Sequence, residues 1–140
     1  MAVNTTPIFP LTPVIGYARL TAANTARDGS GSLSTLVTGD TDGTRVDYIT
    51  FTSAQATAAA NSAMVGRVFI TDNAGSNPRL LSEIAISAVT ASNTAIGATQ
   101  TITFAGGLII PSGVVLKVAI SVYAGAQDQV DVIARAADYN

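Results

Sequence analysis

Ala95-Ile96-Gly97-Ala98-Thr99-Gln100-Thr101-Ile102-Thr103-Phe104 decides the fold class. Ile96, Ala98, Ile102 and Phe104 alternate with Gly97, Thr99, Thr101 and Thr103, a period of two that only a β-strand with one buried face satisfies. The threonine side is expected to point outward. Downstream, Gly106-Gly107 and Pro111-Ser112-Gly113 break the chain. Val114, Leu116, Val118, Ile120 and Val122 then form an apolar row against Val115, Lys117, Ala119, Ser121 and Tyr123, as in a central strand. A last segment, Gln129 to Ala136, sets Val130, Val132 and Ala134 against Asp131, Ile133 and Arg135.

Upstream the same rhythm continues. Arg79 to Val89 places Leu80, Ile84, Ile86 and Ala88 opposite Arg79, Glu83 and Ser87, so Glu83 should face solvent or a partner. Ala63 to Thr71 carries bulk on both faces, with Met64, Val68 and Ile70 against Val65, Arg67 and Phe69, which predicts a strand inside a sheet. Arg45 to Ser53 is rich in β-branched and aromatic residues. Leu33 to Thr38 and Tyr17 to Ala22 complete about eight segments, separated by turn clusters at 27–32, 39–44 and 72–78. Between Ala54 and Ala63 an Ala-rich stretch has the propensity for one helical turn but is too short for an independent helix. No repeat of 20 to 50 residues is visible, which argues against a propeller or β-helix. The expected fold is all-β, a two-sheet β-sandwich of jelly-roll type. Its domain spans residues 17–140 behind an extended N-terminal arm at 1–16.

The arm carries Pro7, Pro10 and Pro13 at a spacing of three, between Ile8, Phe9, Leu11, Val14 and Ile15. Proline at that spacing favours an extended chain with few internal hydrogen bonds. Its apolar side chains need cover, either from its own domain or from a neighbouring subunit. Pro7, Ile8, Phe9, Pro10, Leu11 and Pro13 are therefore the candidate interface residues.

Composition narrows the chemistry. The 140 residues suit one domain, and 48% hydrophobic against 11% charged is the opposite of a disordered chain. There is no His and no Cys, so Ser-His-Asp and Cys-His nucleophiles, disulfides and the common zinc sites cannot be built. The net charge is −2 and the seven basic residues (Arg19, Arg27, Arg45, Arg67, Arg79, Lys117, Arg135) are scattered, so no nucleic-acid footprint appears. Four Phe and four Tyr spread along the chain offer no stacking platform for single strands. The start, Met1-Ala2-Val3-Asn4-Thr5-Thr6-Pro7, does not resemble a secretory signal, and the mature chain is expected to begin near Met1. The most hydrophobic stretch, Leu108 to Val122, is interrupted by Pro111-Ser112-Gly113 and Lys117, and no membrane segment is expected.

What remains for catalysis is a carboxylate pair of the kind that flanks a glycosidic bond. Asp40 with Asp42 and Asp128 with Asp131 are the candidates. Gly39-Asp40-Thr41-Asp42-Gly43 reads as a turn, because Asp carboxylates bond nearby amides and Gly supplies unusual backbone angles. Thr44, Arg45 and Val46 do not continue a calcium loop. Asp128 and Asp131, three apart in a strand, fall on opposite faces and read as solubilising charges. Asp28-Gly29-Ser30-Gly31-Ser32 lacks the lysine and the following helix of a phosphate loop. Sugar binding usually needs exposed aromatics, which Tyr17, Tyr48, Tyr123 and Tyr139 could supply. The expectation is a protein that is not an enzyme and carries no cofactor or metal.

Four stretches in order carry a resemblance: Asp42-Gly43-Thr44-Arg45-Val46-Asp47-Tyr48-Ile49, Val65-Gly66-Arg67-Val68-Phe69-Ile70-Thr71-Asp72, Arg79-Leu80-Leu81-Ser82-Glu83-Ile84, and Leu108-Ile109-Ile110-Pro111-Ser112-Gly113-Val114-Val115-Leu116. Their sequence of a Gly-Thr turn, a strand ending in Asp, an Arg-Leu-Leu strand with a Glu and a Leu-x-x-Pro-x-Gly corner resembles small virion structural proteins of tailed bacteriophages. The likeness covers roughly residues 40 to 125. The arm, the Ala54 to Ala63 stretch and a C-terminus without paired glycines stand outside it. The resemblance implies a capsid decoration, or cement, protein of the virion, assembled in the host cytoplasm. It would bind the major capsid protein, most simply as a homotrimer, with no nucleic acid or membrane partner. A tail or fibre-associated module that binds a host surface glycan is the alternative.

Overall fold

Runs of alternating apolar residues fold into eight strands in the computed structural model, which describes residues 9–10, 12–55 and 58–139. They are β1 (Thr12–Leu20), β2 (Ser34–Thr38), β3 (Thr44–Ser53), β4 (Met64–Ile70), β5 (Arg79–Ile86), β6 (Thr99–Ile110), β7 (Val115–Ile120) and β8 (Val130–Asp138). Their order is β1-β8-β3-β6 in one sheet, here sheet A, and β2-β7-β4-β5 in the other, sheet B. Every neighbouring pair is antiparallel. A two-sheet β-sandwich is thus the architecture, and β4 and β7 are inner strands as their patterns predicted.

The alternation seats the core between the sheets. Sheet A contributes Leu20, Val46, Ile49, Phe51, Val130, Val132, Ala134 and Ala136, and sheet B contributes Met64, Val68, Ile86, Leu116, Val118 and Ile120, all part of one buried cluster. Gly16 and Gly66 let the layers approach. A Cβ on Gly66 would lie 2.8 Å from the Phe51 ring, and one on Gly16 would lie 2.3 Å from the Leu36 carbonyl oxygen.

The inner strands of sheet B, β4 and β7, are covered on both sides. Arg67, Phe69 and Ala119 alternate away from the core, yet all three are buried. The β1–β2 loop lies over this side: Asn24 donates its backbone N–H to the Ile120 carbonyl, and Arg67 Nη1 donates to the Asn24 carbonyl. Within the loop, Asn24 Nδ2 donates to the carbonyls of Ser30 and Ser32, and its Oδ1 accepts from Ala26 N–H. Glu83 accepts from Arg67 at 2.8 Å and from Arg27 at 2.7 Å. The bulk on both faces of β4 now has its cause, and Glu83, exposed to solvent as its side of β5 predicted, holds the loop to the sheet through Arg67 and Arg27.

Several boundaries differ from expectation. β1 begins at Thr12, so the last five residues assigned to the arm belong to the sandwich, with Pro13 opposite Ala137. An edge strand tolerates proline because only one side of it needs ladder donors. β6 starts at Thr99, leaving Ile96 90% exposed outside the strand. It then runs through Gly106-Gly107, which were expected to end it. Both glycines have positive φ, 78° and 84°, and sit where the β3–β6 register shifts between Val46 and Tyr48. They form a bulge, the usual way a strand absorbs extra residues. No helical turn is seen at the described part of the Ala54 to Ala63 stretch. There Asn61, 2% exposed, accepts from Val89 N–H and donates to the Ser62 and Ser87 carbonyls. One 3-10 turn, Ala126–Asp128, lies before β8.

Candidate interaction surface

Among the described residues, no loop covers the outer face of sheet A as the β1–β2 loop covers the inner strands of sheet B. Register places its side chains in rows across β1, β8 and β3: Pro13, Ala137 and Arg45; Ile15, Arg135 and Tyr48; Tyr17, Ile133 and Thr50; Arg19, Asp131 and Thr52. From β6, Ile109, Thr103, Thr101 and Thr99 complete the same rows. The face divides by chemistry. Across β1 and β8 it carries open apolar side chains, Ile15 61%, Tyr17 79% and Ile133 47% exposed, with Arg135 opposite Ile15 and the Arg19–Asp131 pair at one end. Across β3 and β6 it is a field of threonines, in which Thr50 and Thr101 hydrogen-bond at 3.0 Å.

Large apolar side chains left open together mark contact surfaces more often than isolated ones do. A shallow depression of about 480 Å³ runs beside Tyr17, Arg19, Asp131 and Ile133. Its charged end is closed: Arg19 Nε and Nη2 donate to the two Asp131 oxygens at 2.7 and 2.9 Å. The same guanidinium, first through its hydrogen bonds and then through its charge, holds the Asp131 carboxyl below the usual carboxylate range. On the far side of the face, Arg45 and Asp47 pair at 2.9 Å.

The candidate interface residues divide. Pro7, Ile8 and Leu11 lie outside the described residues. Phe9 is 64% exposed, Pro10 is half-buried and Pro13 is exposed on β1. The structure brings Pro13 onto the open face together with Ile15 and Tyr17. Ile133 was legible only as the outward residue of an alternating segment, and nothing in the sequence joins it to Tyr17, 116 positions earlier, until the β1–β8 register does.

Asp40 and Asp42 lie in the expected turn, which backbone hydrogen bonds close. Gly43 N–H donates to the Asp40 carbonyl at 2.9 Å, and Asp40 N–H donates to Thr44 Oγ1. Asp128 corrects the sequence reading: it is no solubilising charge but fully buried. Burial disfavours its charged form, yet the N–H groups of Ser62 and Ala124 and the Ser62 hydroxyl donate to it. The hydrogen bonds outweigh burial and hold its pKa below the ordinary value. It therefore ties the segment before β4 to the turn before β8. Among the described residues, no three acidic side chains gather as metal ligands would. No helix among them is long and apolar enough to cross a membrane.

Comparison with protein-family models, curated proteins and solved structures gives no match for this chain.

Proposed function

We propose that this chain is a bacteriophage virion structural protein. In this reading it is a capsid decoration protein, assembled onto the head in the host cytoplasm, that binds the major capsid protein as a homotrimer and stabilises the shell from outside. The observation that carries the reading is the contrast between the two sheets. The inner strands of sheet B are covered by the chain's own loop, whereas sheet A leaves Ile15, Tyr17 and Ile133 open beside a threonine field. Such a surface suits binding, and an inventory without His or Cys leaves binding as the available work.

Two further points support it. Strands β1 and β8, β2 and β7, β3 and β6, and β4 and β5 are partners, the pairing obtained by rolling up one long antiparallel ladder. We read this winding as a jelly roll, an architecture used by viral capsid domains and also by lectins; this is support by analogy of fold. The second point is the resemblance of the four ordered stretches to tailed-phage virion proteins. Closed symmetric oligomers present equivalent contacts to a symmetric shell, which favours the trimer.

A glycan-binding module of the tail is the second reading, favoured by Tyr17 and Tyr48 sharing one face with threonine hydroxyls. Two measurements on the purified chain separate the readings. Co-sedimentation with phage heads lacking it, saturating at a fixed number of copies per head, is expected for decoration. Selective binding on a glycan array with no affinity for heads would replace that reading with the second.

A further inference from the structure

Among the described residues, four of the chain's seven basic side chains are ion-paired within the molecule: Arg19 with Asp131, Arg27 and Arg67 with Glu83, and Arg45 with Asp47. Arg135 has neither an ion pair nor a side-chain hydrogen bond among them. All nine acidic side chains of the sequence lie in the described residues, so no further Asp or Glu of the chain is left to meet it.

Its position gives that free charge a meaning. Charged side chains commonly protect exposed sheet edges, but β8 is an inner strand of sheet A, between β1 and β3, so Arg135 guards no edge. It stands exposed on the open face, opposite Ile15 of β1 and Tyr48 of β3. Two residues along β8 is Ile133, itself opposite Tyr17. Arginine and tyrosine are enriched among the residues that dominate binding at protein interfaces, and the two isoleucines supply apolar area to bury.

Burial then decides the chemistry of the occupant. A surface that covers Ile15, Tyr17 and Ile133 also takes water from Arg135, and a desolvated charge without a counter-charge is strongly unfavourable. The occupant therefore brings an anion. The planar guanidinium favours an acceptor with two oxygens, a carboxylate or a phosphate. Phosphate chains are held by several cations together, whereas the other arginines of this face, Arg19 and Arg45, are neutralised by Asp131 and Asp47, whose carboxylates repel a polyanion. A single carboxylate set among apolar groups fits, and the exposed isoleucines favour a protein side chain over an acidic sugar.

We propose that Arg135 anchors a protein partner on the open face of sheet A by pairing with an Asp or Glu of that partner, whose apolar neighbours cover Ile15, Tyr17 and Ile133. The proposal rests on sheet A being the contact face, and goes beyond the decoration reading in naming the chemistry of the surface it meets.

The probe is a library of random displayed peptides, selected on the immobilised full chain. Selected peptides are expected to carry an Asp or Glu among apolar residues, and to lose affinity about tenfold or more on Arg135→Gln, the weight of one charge-assisted hydrogen-bonded pair. Arg79→Gln, which removes an exposed positive charge from sheet B, should leave their affinity unchanged. Arg135→Glu should reject the original peptide and bind its counterpart with Arg in place of the acid. Because Arg135 is exposed and unpaired, each variant should keep the circular dichroism spectrum and melting temperature of the unmodified chain. Peptides without an acid, no selection at all, or affinity indifferent to Arg135→Gln overturns the inference; so does binding of acidic saccharides alone on a glycan array. Co-sedimentation with phage heads separates this from the decoration reading. Heads that take up the unmodified chain and Arg135→Gln alike remove the anchor and keep decoration, whereas heads that take up neither remove decoration and leave the peptide result to decide the anchor.

Discussion

Gly66 faces the Phe51 ring with no space for a methyl group, since an added Cβ would sit 2.8 Å from two of its carbons. Both belong to the region between the sheets, where an extra methylene forces off-rotamer side chains at a cost of ~1–3 kcal/mol. Gly66→Ala should lower stability by that amount, read as a reduced urea midpoint at unchanged slope; an unshifted midpoint would show that the sheets are not in contact there. Asp128 works through hydrogen bonds instead of volume. Asp128→Ala strands the N–H groups of Ser62 and Ala124, and a buried unsatisfied donor costs ~1–3 kcal/mol. Loss within that range in the same assay is expected, and a neutral substitution would mean that water already serves these donors. The sequence shows Asp128 only as an acid near another acid. Its burial depends on Ser62 lying 66 positions away, a pairing that no spacing rule contains.

Corners and bulges decide how the strands are fed into their sheets. At the β6–β7 corner Gly113 has φ 79°, and an added Cβ would lie 2.1 Å from the Asn73 carbonyl oxygen. Gly106, in the β6 bulge, has φ 78° but nothing within 4 Å of a Cβ. Left-handed strain costs a non-glycine residue ~1–3 kcal/mol, so Gly106→Ala should show that cost alone while Gly113→Ala adds a backbone collision. Thermal denaturation should therefore rank Gly113→Ala well below Gly106→Ala, and equal melting points would contradict the corner geometry. Strand positions were readable wherever one face is wet: the Thr99, Thr101, Thr103 row is exposed, and Val130, Val132 and Ala134 are buried. Periodicity carried through Gly66 in β4 but failed at Pro13 and at Gly106-Gly107. Pro13 is admitted by an edge and Gly106-Gly107 by a bulge, and both depend on neighbours that a local pattern does not reveal. Of the interaction surface, the alternation at Tyr17 and Ile133 was legible, but their adjacency was not.

Across the whole molecule the carboxylates set the response to acid. Glu83 is held below its usual range by the hydrogen bond from Arg67, then by that from Arg27, and Asp131 by Arg19. Asp128 is also lowered, its hydrogen bonds exceeding the burial penalty. A folded-state pKa below the unfolded one means that the unfolded chain binds more protons, so stability falls as pH drops. With no His, nothing of ordinary side-chain pKa titrates between about pH 5 and 8. The melting temperature is expected to stay level over that interval and to decline below about pH 4, where unperturbed carboxylates begin to protonate. A decline already between pH 8 and 6 would contradict these assignments.

The same molecule covers the inner strands of one sheet with its own loop and leaves the face of the other open, and the proposed decoration role depends on that open face. Electron cryomicroscopy of phage heads incubated with the purified chain addresses it most directly. The account predicts regularly repeated density on the outside of the head, with sheet A directed at its contacts. Density confined to the tail, or a head contact made through sheet B and its covering loop, would contradict it.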